Sequence, residues 1–429
     1  MRIYMIKKVR GDSNHNSTNA AARYKGDLKM TGIDLTRRSV FRAGAVLAAA
    51  TTISGIPIVA QAAEEQKKIR PLTGKNLKMK DVLDRAREMM MPRCYVCAEC
   101  NGRGPCIGQV PGFGGMGASR SFQANYDALA AVRLNARMVH DVHKPDTSID
   151  FFGTKLSMPV MAAPTGGTTY NMGGRLTEEE FVTAICGGCT AAGTLGAVAD
   201  GIGDPLEVFE KRLQTLKSKG FKAIVGLKPR RQADIIERMK IAANAGVVAF
   251  TIDLDSAGRA ARATKGQTVE PKTPAQLREL VKASPLPLLF KGIMTVDEAK
   301  ACLNAGAAGI VVSNHGGRTL ADTPGTAEVL PEIADAVKGR CMILVDGCVK
   351  RGTDVEKYIA LGANGCLAGR HFVRAAHGAL ADGVELFART IRNELVVAMT
   401  LTGAASVKDI SRRMIRMTPP PPLAFGVPA

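Results

Sequence analysis

The sequence predicts an α/β protein, a TIM-type (β/α)8 barrel behind a small cysteine-rich N-terminal segment. Eight short apolar, β-branched runs recur at residues 158–163, 194–199, 223–227, 247–253, 286–291, 309–313, 342–346 and 365–368. They begin about 23 to 39 residues apart, the interval that one strand–helix unit needs. Stretches of helical periodicity, such as 232–245, 296–305 and 354–361, lie between them and end near glycines. The doubly wound sheet is disfavoured because no early glycine fingerprint is present.

At the N-terminus, residues 1–62 read as an extension with an export signal. Thr36-Arg37-Arg38-Ser39-Val40-Phe41-Arg42 precedes an alanine-rich apolar stretch that closes on Ala60-Gln61-Ala62, a small-x-small cleavage pattern. This resembles a bacterial twin-arginine signal peptide and implies a periplasmic or cell-envelope location. An uncleaved anchor over 43–63 is the alternative. Met30, just ahead of the pattern, is a second candidate start.

Residues 63–125 form a segment of their own. Cys94, Cys97, Cys100 and Cys106 are spaced C-x2-C-x2-C-x5-C and are followed by the glycine-rich run 112–117. Iron-sulfur clusters use C-x2-C-x2-C runs and zinc sites use paired C-x2-C units, so these four are candidate metal ligands. The longer last gap matches neither template. In an oxidising compartment disulfides are the competing reading, and free thiols the third. Cys186 and Cys189, one helical turn apart, read as packing residues, as do Cys302, Cys341 and Cys366.

Residues 126–416 carry the barrel. With 429 residues, 46% hydrophobic content and 45 glycines, one large core with many tight turns is sufficient. The net charge of +19 invites a nucleic-acid reading. However, residues 1–62 hold ten Lys/Arg against three Asp/Glu, and the remaining basic residues are interspersed with acidic ones without an aromatic-basic repeat. That pattern is a solvated surface with sites for anionic ligands, which excludes nucleic acid as the expected partner. The polar stretch 255–274 reads as a mobile loop over the barrel mouth. Residues 417–429, with Pro419 to Pro422, read as an extended tail.

The chemistry concentrates at Ser313-Asn314-His315-Gly316-Gly317-Arg318, directly after the sixth run, at the face where barrels of this type do catalysis. Histidine accepts a proton near neutral pH, and a guanidinium grips a carboxylate in a bidentate fork. Together they suggest oxidation or deprotonation of a small acid.

That segment, with 156–159, 290–292, 345–354, 368–370 and 401–403 in the same order and spacing, resembles the FMN-dependent α-hydroxy acid dehydrogenase and oxidase family, which includes glycolate oxidase and flavin L-lactate dehydrogenase. The resemblance spans about the last two thirds of the chain and implies oxidation of a small 2-hydroxy carboxylate. In it His315 is the base, Asp253 its orienter, Lys291 the cation beside the flavin, and Arg318, with Arg259, the substrate clamp. It also implies FMN contacts from Ala162, Ala163, Thr251, Lys291, Ser313, Asp346, Gly347, Lys350, Gly369 and Arg370, and a homo-oligomer.

The chain departs from the family pattern in five places, one of them the absence of the tyrosine usual near the start of the amino-terminal segment. Cys348 stands at a usual glycine and Lys350 at a usual arginine. The third strand's tyrosine position is occupied by Val225, and the second clamp arginine falls at Ala260. A substrate outside the glycolate and lactate set follows from the altered clamp. The electron acceptor is open among oxygen, a quinone and an envelope carrier. The rival readings are an FMN barrel isomerase of the isopentenyl diphosphate type and a non-catalytic flavin- or metal-binding protein.

Overall fold

A computed structural model describes residues 69–74, 76–262 and 269–418, without the side chains of 259–262. The described residues belong to one compact unit within 66–429. The twin-arginine pattern, the 43–63 stretch and the proline-rich tail lie outside the described residues.

Eight parallel strands form the barrel: β1 Val160–Ala162, β2 Gly196–Ala199, β3 Ala223–Leu227, β4 Val247–Asp253, β5 Leu288–Ile293, β6 Gly309–Val312, β7 Met342–Val345 and β8 Gly365–Ala368. Pairing runs in sequence from β2 to β8, and β8 returns to β1. The Ala162 N–H donates to the Leu195 carbonyl at 3.0 Å just before β2, so the ring closes. Every expected run became a strand, with ends shifted by one to two residues in five of them. The eight strands are buried almost throughout, which is why they read as continuous apolar runs rather than alternating ones.

The intervening helices are α3 Glu178–Ala191, α4 Leu206–Ser218, α5 Gln232–Ala242, α6 Pro274–Ala283, α7 Val296–Asn304, α8 Thr326–Val337, α9 Gly352–Leu361 and α10 Arg370–Thr402. Two earlier helices, α1 Met79–Met90 and α2 Arg120–Ala131, complete the numbering. Thr177 and Thr273 start α3 and α6 with reciprocal capping boxes, the signature of Thr followed three residues later by Glu or Gln. The boundary expected at 125/126 falls inside α2.

Two features of the fold bear on the site. The stretch after β4 is not irregular at its start. It winds into a 3-10 helix, Leu254–Arg262, seated where Gly292 lacks a side chain; a Cβ there would fall 2.6 Å from the Asp255 Cβ. Residues 263–268 of that stretch lie outside the described residues. The cysteine-rich segment packs onto the barrel. Arg370 donates through Nε to the Phe113 carbonyl (2.9 Å) and through Nη2 to Gly114 (3.2 Å), and stacks 3.8 Å from the Phe122 ring centroid.

Candidate active site

At the carboxyl ends of the strands a crevice is lined by Ala163, Lys291, His315, Arg318, Asp346, Gly347, Gly369 and Arg370, all expected site residues. His315 follows β6 with φ +57, followed by Gly316 at +62 and Gly317 at +75. Three successive left-handed residues make a tight loop that only glycine enters without strain at its last two positions. The Ser313 Oγ accepts from the His315 N–H at 3.0 Å and donates to both oxygens of Asp346 at 2.9 and 2.8 Å.

The imidazole is held by a residue the sequence did not single out. His315 Nδ1 lies 3.1 and 3.2 Å from the two carboxylate oxygens of Asp255 and 3.5 Å from the Lys291 ammonium. Asp253, expected as the orienter, is instead paired through Oδ2 with Lys228 at 2.5 Å, and its Oδ1 is 3.7 Å from Lys291. The physical reason is reach: Lys228, just past the end of β3, projects across to the end of β4 and occupies the carboxylate. The third strand thus supplies a cation to the site, while Val225 is completely buried within the strand.

Charge in this cluster is tuned by burial and by close pairs. Burial pushes the His315 imidazole well below its ordinary value; Lys291 and Lys228 push it further, against the pull of Asp253. It is therefore neutral near pH 7, as a proton acceptor must be. Burial works against the Lys291 ammonium, but Asp253, Asp255 and Asp346 outweigh it and keep it charged. Burial opposes ionisation of Asp253 too, and Lys228 and Lys291 overcome it. For Asp346 burial prevails over Lys291 and Ser313, so its carboxyl is raised.

The other expected residues fall into place unevenly. Arg318 donates through Nη2 to the Asn171 Oδ1 at 3.1 Å, so the one-turn helix Thr168–Asn171 after β1 positions it. Ala162, Thr251 and Ser313 are buried in the barrel wall. Lys350 is turned toward the cysteine segment, donating to the Ala98 carbonyl at 2.7 Å and lying 3.4 Å from Glu99. The side chain of Arg259 lies outside the described residues. Sequence reasoning missed Asp255, Lys228, Asn171, Phe113 and Phe122. Only Asp255 carried a signal, as the second carboxylate of Asp253-Leu254-Asp255.

The metal expectation is not met. Cys94, Cys97, Cys100 and Cys106 are free thiols, and among the described residues no group of three or more His, Cys, Asp or Glu is arranged to hold a metal ion. The Cys100 sulfur accepts from Arg374 Nη2 at 3.0 Å.

Comparison with known proteins adds to this geometry. The model of the family described as FMN-dependent dehydrogenase matches residues 113–277 and 266–417. L-lactate dehydrogenase of Alcaligenes faecalis is 31% identical over 71% of this chain and 93% of its own. Glycolate oxidase 1 of Zea mays is 30% identical over 69% of this chain and 87% of its own. A mandelate oxidase crystal structure superposes with a TM-score of 0.64 at 28% identity, covering 80% of this chain and all of that one. Another, solved with an FMN adduct, gives 0.61 at 32% identity over 72% of this chain.

The residues present fit a bound flavin nucleotide. The Thr251 Oγ1 is buried without a hydrogen-bond partner, a hydroxyl left for a ligand. Gly369 caps the start of α10, where helix N–H groups suit a phosphate, and Ala163 and Gly369 keep the crevice wall open between their strands.

Proposed function

The chain belongs to the FMN-dependent dehydrogenase family, and on that premise we propose that it oxidises a small 2-hydroxy carboxylate to the 2-oxo acid. The observation that carries this reading is the convergence of a neutral, oriented His315 with Arg318 and Lys291 in one crevice at the barrel mouth. Bound FMN supplies the two-electron acceptor for the hydride of the α-carbon. Asp255 accepts the Nδ1–H of His315, which leaves Nε2 as the basic nitrogen for the substrate hydroxyl proton. As the imidazole becomes cationic, Asp255 and Asp253 stabilise it. Arg318, steadied by Asn171, binds the carboxylate as a planar fork. Lys291 would provide fixed positive charge beside a bound flavin.

Ala162, Ala163, Thr251, Ser313, Asp346, Gly347, Lys350, Gly369 and Arg370 are the proposed FMN contacts. The protein is proposed to reach the cell envelope through the twin-arginine pattern at Arg37-Arg38, to act as a homo-oligomer, and to pass electrons to an acceptor not fixed by these residues. The test of the activity is an anaerobic visible spectrum of the full chain before and after adding L-lactate, glycolate or mandelate. Bleaching of the flavin band by one of them, lost in His315→Ala with flavin still bound, is the expected result. A bound flavin that no 2-hydroxy acid reduces would overturn the reading.

A further inference from the structure

The guanidinium proposed to bind the substrate carboxylate is held through a chain of contacts that begins outside the crevice. Arg318 Nη2 donates to the Asn171 Oδ1 at 3.1 Å, and the same oxygen accepts from the Gly112 N–H at 3.3 Å. The Asn171 Nδ2 donates to the Gly166 carbonyl at 2.9 Å, so three partners fix which end of the amide faces the guanidinium. Asn171 is 8% exposed and closes the one-turn helix Thr168–Asn171. A helix of four residues is not stable through its own hydrogen bonds, so its position has to be set by its neighbours.

Glu178, the first residue of α3, sets it. Its Oε1 accepts from the backbone N–H and from the hydroxyl of Thr168, at 2.9 and 2.6 Å. The first of these is a donor that the start of a helix leaves without an intrahelical acceptor. Its Oε2 accepts from Arg212 Nε at 2.6 Å. Arg212, on α4, is 2% exposed and directs its other nitrogens to the Asp204 carboxylate at 2.6 Å and to the carbonyl of Ala199, the last residue of β2, at 2.8 Å. Burial opposes ionisation of Glu178, but Arg212 and Thr168 outweigh it and keep the carboxylate charged. Charge-assisted bonds on both oxygens give that carboxylate one position relative to the barrel.

We propose that Glu178, anchored by Arg212, is a positioning residue for Arg318: it seats the turn Thr168–Asn171 and, through the Asn171 amide, sets the guanidinium for the substrate carboxylate. Glu178, Thr168 and Arg212 do not line the crevice, so their effect on a ligand passes through Asn171 and Arg318. The inference rests on the reading of Arg318 as the carboxylate clamp. Its signature is selective, because affinity for the carboxylate of a ligand depends on Glu178 and affinity for the rest of the ligand does not.

The test measures, by calorimetry, the binding of glyoxylate, pyruvate and benzoylformate, each beside its neutral amide, to the full FMN-loaded chain. Wild type is expected to bind at least one acid more tightly than its amide. Glu178→Ala weakens that acid about tenfold and leaves the amide unchanged within about twofold. Thr168→Val removes one hydroxyl bond at nearly constant shape, and is expected to weaken the acid several-fold with the same selectivity even if Glu178→Ala does not fold. In an Arg318→Ala background neither substitution has a further effect on the acid. Equal losses for acid and amide, a loss that persists without Arg318, or unchanged acid affinity in the variants would overturn the positioning role. A wild type that prefers no acid to its amide overturns the clamp itself, an outcome read before any variant is compared.

Discussion

His315 and Asp255 face each other through Nδ1 and both carboxylate oxygens at 3.1 and 3.2 Å, while Asp253 is held by Lys228 at 2.5 Å. Two aspartates separated by one residue thus have different tasks. Asp255 faces Nδ1 of the proposed base, and Asp253 balances two buried lysines.

Those tasks separate on substitution. Asp255→Asn leaves the fold and flavin binding intact but removes the acceptor that holds the Nδ1 proton, so kcat is expected to fall about 100-fold or more with KM little changed. Asp253→Asn instead leaves Lys228 and Lys291 buried with less compensation, at a cost of about 3–5 kcal/mol in folding stability. Steady-state kinetics together with chemical denaturation distinguish the pair. An Asp253→Asn enzyme as stable as wild type and as slow as Asp255→Asn would return the orienter's role to Asp253.

Burial, Lys291 and Lys228 all lower the imidazole, and in the proposed reaction the unprotonated form is active, so the wild-type acid limb of kcat/KM is expected well below the ordinary histidine value. Removing a nearby cation makes protonation easier, which raises the folded-state value of His315. The acid limb of Lys228→Met is therefore expected at higher pH than that of wild type. A pH–rate profile that is unmoved, or displaced to lower pH, contradicts this.

Gly317 and Gly339 are a matched pair in backbone angle, φ +75 and +77, but not in surroundings. A Cβ on Gly317 would lie 2.4 Å from the backbone nitrogen of Phe122, whereas nothing lies within 4 Å of one on Gly339. Gly339→Ala meets only the conformational penalty, on the order of 1 kcal/mol. Gly317→Ala must also displace the start of α2, and is expected to lower both melting temperature and flavin affinity more than Gly339→Ala. Equal losses would mean that the α2 contact is soft.

Much of this architecture was legible because each barrel strand is local: β-branched apolar residues in a run announce themselves without knowledge of their neighbours. The His315 loop was legible for the same reason, as a proton carrier, two glycines and a cation within six residues of a strand. What stayed hidden depends on long-range closure. Lys228 reaches Asp253 only because β3 and β4 are adjacent and staggered, and Arg374 reaches Cys100 across 274 positions of sequence. The four-cysteine spacing likewise gives no sign that the Arg374 guanidinium lies against the Cys100 sulfur.

Acid stability carries a separate signature in His377. It is fully buried on α10, its Nδ1 lies 2.8 Å from the Val373 carbonyl, and its Nε2 has no partner. Burial, aided by Arg175 and opposed by the Val373 carbonyl, pushes its value down to about 4 from an ordinary 6.5. Between those values the unfolded chain binds a proton that the folded chain refuses. Stability from this group is therefore whole above about pH 6.5 and is lost as pH falls toward 4, by about 3 kcal/mol in all. His377→Phe keeps a ring in van der Waals range of Phe181, whose centroid lies 6.1 Å away, and carries no proton. Other buried histidines contribute to the wild-type slope as well, so the informative quantity is the difference between the two proteins. Unfolding free energies measured by denaturant at steps across that range are expected to fall less steeply for His377→Phe, and parallel slopes would mean that His377 gains access to water in the folded state.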